Sequence, residues 1–112
     1  MCAGGSHDQG VSAAYDLILD WHPKVVLRVD HRTARGEVVD YTLVLLLATS
    51  EGTETIRVYD SAHGYNEMHR YTSDAGKQSG VRFHSGSLGE GMRMAISNVE
   101  RGFEEMIEGW RG

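Results

Sequence analysis

From Ser87 to Gly112 the chain reads SLGEGMRMAISNVERGFEEMIEGWRG, and no other stretch constrains the fold as much. At about 100° per residue, Leu88, Met92, Ala95, Ile96, Val99, Phe103, Met106, Ile107 and Trp110 fall in one stripe. Glu90, Arg93, Glu100, Arg101, Glu104, Glu105 and Glu108 fall largely elsewhere. The pattern predicts a helix with one buried face. Ser87 followed three residues later by Glu90 is a capping box, in which hydroxyl and carboxylate each satisfy an unpaired amide at the helix start. Burying one large apolar side chain is worth about 1.5 to 3 kcal/mol, so this stripe demands a platform to lie on.

Glycines inside that helix oppose the pattern, each costing about 1 kcal/mol relative to alanine in a helix interior. Gly91, Ala95, Gly102 and Gly109 lie on one flank of the stripe. Two readings follow: a strand or turn approaches the helix backbone closely there, or a partner chain does. The first is the commoner reason for helical glycine.

The platform is read from the rest of the chain. Tyr15, Leu17, Leu19 and Trp21 alternate as a half-buried strand, although Val11 to Asp20 also allows a short helical start. Pro23 marks a turn, and Val25, Leu27 and Val29 continue in period two. Thr33 to Gly36 is a turn. Glu37 to Thr49 contains the run Leu43 to Ala48, predicting a central strand covered on both faces. Ser50 to Thr53 makes a hairpin connection, and Thr55 to Tyr59 returns. Glu67 to Thr72 and Val81 to His84 are further extended segments, separated by a polar, mobile stretch from Ser73 to Gly80. The expected fold is α+β: a meandering antiparallel sheet of about five strands with the long C-terminal helix packed on one face.

At 112 residues the chain holds one domain, placed at 11–112 behind a small, polar, disordered tail at 1–10. The apolar runs are far shorter than the roughly 20 residues a membrane span requires. No secretory pattern opens the chain, and its single cysteine, Cys2, has no internal partner, so a cytoplasmic setting is expected. Net charge is −5, and no basic stripe runs along the sequence. The middle of the chain is neutral and carries His31, His63, His69 and His84, four of the six histidines. His31, Arg32 and Arg35 form a small basic group near one turn.

Chemistry is concentrated in Tyr59-Asp60-Ser61-Ala62-His63-Gly64-Tyr65-Asn66-Glu67-Met68-His69-Arg70. A strand ending in Tyr-Asp-x-x-His, a His-Arg pair on the next strand, then Phe83 and an amphipathic helix from Leu88 resemble the TumE-type toxins of bacterial toxin-antitoxin modules. The likeness covers the second half of the chain and departs where Tyr65 to Met68 separate His63 from His69. It implies a growth-inhibiting protein, a cognate antitoxin protein as partner, and RNA as target.

Read as chemistry, His63 and His69 suit acid-base cleavage of RNA without metal or other cofactor, because imidazole exchanges protons near neutral pH. Arg70 would hold the phosphate. Asp60, Tyr65 and His84 complete the binding set, Asp60 orienting an imidazole and Tyr65 stacking on a base. In the plainer alternative, Asp60 and Ser61 only cap a turn. Metal ligation by Asp60, His63, His69 and His84 would need a spacing without strong precedent. The rival function is a non-catalytic binding or assembly module, and edge strands plus the glycine flank allow a homodimer. Imidazoles of His63 and His69 meeting in one cleft with Arg70 would favour catalysis.

Overall fold

The computed structural model describes residues 10–112, so the expected tail, Cys2 included, lies outside the described residues except for Gly10. Among the described residues seven strands precede one helix: β1 Val11–Trp21, β2 Lys24–Ala34, β3 Glu37–Thr49, β4 Gly52–Asp60, β5 Asn66–Thr72, β6 Gly76–Lys77, β7 Val81–His84 and α1 Leu88–Arg111. All pairings are antiparallel. The sheet runs β1-β2-β3-β4-β5-β6, and β7 joins β5 as well, so β6 and β7 share its far edge. The α+β layering expected from sequence is what forms, with two strands more than the expected five.

Local chemistry explains the meander. Arg35 and Gly36 close the β2–β3 hairpin with φ of 55° and 78°, the pair of left-handed residues that a tight hairpin turn needs. At the start of α1 the Ser87 hydroxyl accepts from the Glu90 amide at 3.1 Å, and Glu90 Oε1 accepts from the Ser87 amide at 3.2 Å. The capping box is therefore present as expected.

α1 lies over β3, β4 and β5. Its buried residues Met92, Ala95, Val99 and Ile107 meet Val25, Leu27, Val29, Tyr41, Leu43, Leu45, Leu47, Ile56, Tyr59 and Met68 of the sheet. Leu88, Ile96, Phe103, Met106 and Trp110 flank that core, so every member of the predicted stripe contributes.

Three local expectations need correction. β3 is central but covered on one face only: Tyr41, Leu43, Leu45 and Leu47 are buried, whereas Thr42 and Ala48 are exposed and Val44 and Leu46 half-buried. Among the described residues a single helix supplies a single covering layer. On the open face the leucine-rich run is shielded by cross-strand neighbours, with Val26 opposite Leu46 and Val44 opposite Val58. In β1 a bulge between Ile18 and Asp20 breaks the alternation, and Tyr15 and Trp21 stay 43% and 62% exposed because α1 covers β3 to β5. The polar stretch after β5 is tied down: the Ser73 amide donates to the Trp110 carbonyl at 2.8 Å, and the Gln78 amide to the Arg70 carbonyl at 2.8 Å.

Candidate functional site

The β4–β5 pairing decides which side chains meet. Tyr59 opposes Met68, and both enter the core under α1. Side chains alternate along a strand. Asp60 with Glu67, and Val58 with His69, therefore turn to the face away from the helix. The loop between the strands turns at Gly64, whose φ is 85° and whose amide donates to the Ser61 carbonyl at 2.8 Å. This brings His63 back over Glu67.

Glu67 is the hub. It is 6% exposed, and its Oε1 accepts from His63 Nδ1 at 2.8 Å, with His69 Nε2 3.4 Å from the same oxygen. The Tyr65 hydroxyl donates to Oε2 at 3.3 Å. The His63 hydrogen bond, with the nearby imidazoles and Tyr65, outweighs burial and holds the carboxyl below the usual carboxylate range. Gly80 packs directly over this group. A side chain there would run into the Glu67 carboxylate and meet His69 Cε1 at 2.7 Å.

The two imidazoles converge but are not equivalent. His69 is 12% exposed, and its Nδ1 donates to the Gln78 carbonyl at 3.0 Å, which leaves Nε2 to face Glu67. Nδ1 is committed to a carbonyl, and Nε2 lies within ion-pair distance of the carboxylate, a contact that pairs charges when the ring is protonated. The His63 side chain is 66% exposed. With Nδ1 donating to the carboxylate, its Nε2 is the nitrogen left for proton exchange. A carboxylate fixing one nitrogen while the other is presented outward is the arrangement of an oriented general base.

The other expected site residues separate. Arg70 pairs in register with Arg57 and lines a cleft against α1, the face opposite to His69, so its expected place beside the imidazoles is corrected by strand parity. His84 Nε2 lies 3.3 Å from Glu90 Oε1 at the helix start. His84 still borders a depression of about 280 Å³ with Tyr65 and Arg82. Asp60 caps its turn, Oδ1 accepting from the Ala62 amide at 3.1 Å, and Glu67 takes the imidazole-orienting part expected of it. Ser61 is likewise structural: its hydroxyl accepts from the Tyr41 amide at 2.9 Å and donates to Asp40 Oδ1 at 2.7 Å. The Tyr65 ring is already occupied, with the Arg82 guanidinium 4.4 Å from its centroid and the His63 ring 6.1 Å away at 28°. In the basic group, His31 sets its ring edge-on to Tyr15 while Arg32 pairs in register with Asp40.

Three residues were missed from sequence: Glu67, Gly80 and Arg82. Glu67 and His69 are two apart on a strand and so share a face, a signal the sequence contains. The positions of Gly80 and Arg82 depend on β7 pairing with β5, Arg82 opposite Glu67, which no local pattern announces. Ligand atoms of Asp60, Glu67 and His69 lie within 4.8 Å of one another, the set that would hold a divalent cation. Comparison with protein-family models, curated proteins and solved structures finds no match to this chain.

Proposed function

We propose that this chain is a toxin-like ribonuclease that cleaves RNA with the His63–Glu67 pair as its base. The observation that carries the reading is the exposed His63 imidazole, oriented at 2.8 Å by a buried carboxylate. His63 Nε2 takes the proton of a ribose 2′-hydroxyl, and the oxygen forms its bond to phosphorus as the bond to the 5′-oxygen breaks. The leaving oxygen takes a proton from the imidazolium or from water. Glu67 stabilises the imidazolium through its short hydrogen bond, and Arg82 supplies positive charge near the phosphate. RNA carries its own nucleophile, so a single oriented base on an open face meets the chemical requirement. In this reading the cognate antitoxin is a protein that covers that face.

The test expresses wild type, His63→Ala and Glu67→Gln from an inducible promoter, following growth and total RNA. Purified protein is then incubated with single-stranded RNA in EDTA. Growth arrest and EDTA-resistant cleavage that both require His63 are expected. Arrest unchanged in His63→Ala, or intact RNA, refutes the proposal. The Asp60, Glu67 and His69 grouping favours a second reading, a divalent-cation site. Cleavage abolished by EDTA and lost in Asp60→Asn would decide for it.

A further inference from the structure

The β4–β5 pairing sets like charges opposite one another twice, Asp60 against Glu67 and Arg57 against Arg70. Directly opposed like charges destabilise adjacent strands. The acidic pair is offset by His63 and His69. The arginine pair has no such offset. Among the described residues neither guanidinium has a carboxylate within ion-pair distance, and the hydrogen bond Arg57 makes is a long one, 3.5 Å from Nη1 to the Tyr59 hydroxyl.

Both arginines line a cleft of about 370 Å³ between the sheet and the end of α1, with Trp110 and Met106 of the helix on the same lining. That volume falls in the range of small-molecule sites, roughly 300 to 1,000 Å³. Gly109 leaves the helix backbone bare on the same lining, and a methyl group added there would meet nothing within 4 Å. At Gly91 close packing accounts for the glycine; at Gly109 packing gives no reason for it. The Ser73 amide and hydroxyl bond to the carbonyls of Trp110 and Arg111 at 2.8 and 3.4 Å, joining the end of α1 to the turn after β5.

We infer that this cleft binds a small anion with a planar aromatic group, of the size and chemistry of a nucleoside monophosphate. The planar forks of Arg57 and Arg70 match phosphate oxygens two at a time. The Trp110 indole suits a stacked ring. The site lies across the sheet from His63 and Glu67, and it does not depend on the proposed cleavage.

Titration of adenosine 5′-monophosphate into Trp21→Phe protein, in which Trp110 is the remaining tryptophan, tests this by fluorescence. Saturable change in Trp110 emission is expected, with affinity falling ten-fold or more in Arg70→Ala and weakening as salt rises. Gly109→Leu adds a side chain on the cleft lining at a position where the Cβ meets no atom within 4 Å, and it should abolish binding while the circular dichroism spectrum is kept. Inorganic phosphate and adenosine should each bind more weakly than the nucleotide. No saturable signal at millimolar nucleotide, binding unchanged in both Arg70→Ala and Gly109→Leu, or phosphate binding as tightly as the nucleotide would overturn the inference.

Discussion

Gly91→Ala inverts the usual rule for glycine in a helix, and the structure gives the size of the inversion. On propensity alone the substitution should stabilise by about 1 kcal/mol. A methyl group at residue 91, however, would overlap the Asn66 side-chain amide, with Nδ2 at 2.7 Å and Oδ1 and Cγ closer still. Asn66 cannot step aside. It is 1% exposed, its Oδ1 accepts from the Tyr41 hydroxyl at 2.6 Å, and its Nδ2 faces the carbonyls of His84, Gly86 and Ser87 at 3.3, 3.1 and 3.1 Å. Overpacking costs about 1 to 3 kcal/mol, and a buried polar group left unpaired about 1 to 3 more. After the propensity gain, net destabilisation should be about 1 to 5 kcal/mol. Urea unfolding followed by circular dichroism measures it, with Gly109→Ala as the control expected to gain up to about 1 kcal/mol. In a double-mutant cycle, Asn66→Ala should recover more than about 1 kcal/mol of the Gly91→Ala loss, because the overlap disappears. A Gly91→Ala protein as stable as wild type would refute this account of the helix seat.

Tyr41→Phe should cost about 1 to 2 kcal/mol by urea titration, since Asn66 Oδ1 loses its buried donor. Burial, reinforced by the Asp60 charge, pushes the Tyr41 hydroxyl above its ordinary range, so wild-type protein should show no tyrosinate absorbance from Tyr41 at pH 10. Glu67 has a depressed carboxyl pKa in the folded state, so its stabilisation is fully present above the unfolded carboxylate value of about 4.3 and lost as pH falls through the folded value. Glu67→Gln should therefore be less stable than wild type at pH 7, with the gap closing below about pH 4.3 in a series of urea titrations. Loss of His63 should lower the proposed RNA cleavage by about 10²-fold or more, whereas Arg70→Ala on the other face should leave it within a few-fold. Equal losses in the two variants would place the arginine back in the site.

Much of the fold was legible because its signals are local. The capping box at Ser87 and Glu90, the nine-residue stripe and the period-two runs each fix an element within a few residues of chain. What escaped was set by contacts remote in sequence. Whether the Leu43 to Ala48 run is covered twice or once depends on what packs on the second face of the sheet, which no local pattern states. The Gly91 seat exists because Asn66 arrives from β5, and Gly80 and Arg82 reach Glu67 because β7 pairs with β5. The Arg70 error was avoidable. Once Glu67 to Thr72 is extended, His69 and its neighbour must diverge, while Glu67 must join His69.

That same parity makes β5 a shared wall. Glu67 and His69 point to the open face, Arg70 points to the cleft under α1, and Asn66 anchors the strand to the helix start. Displacing Asn66 would therefore disturb both faces together, whereas Arg70→Ala should reach only the cleft and His63→Ala only the open face. A Gly91→Ala protein that remains folded should thus lose the proposed nucleotide binding and the proposed RNA cleavage in parallel. If it loses one and keeps the other in full, the two faces are not held by a common seat, and the rigid-wall argument fails at β5.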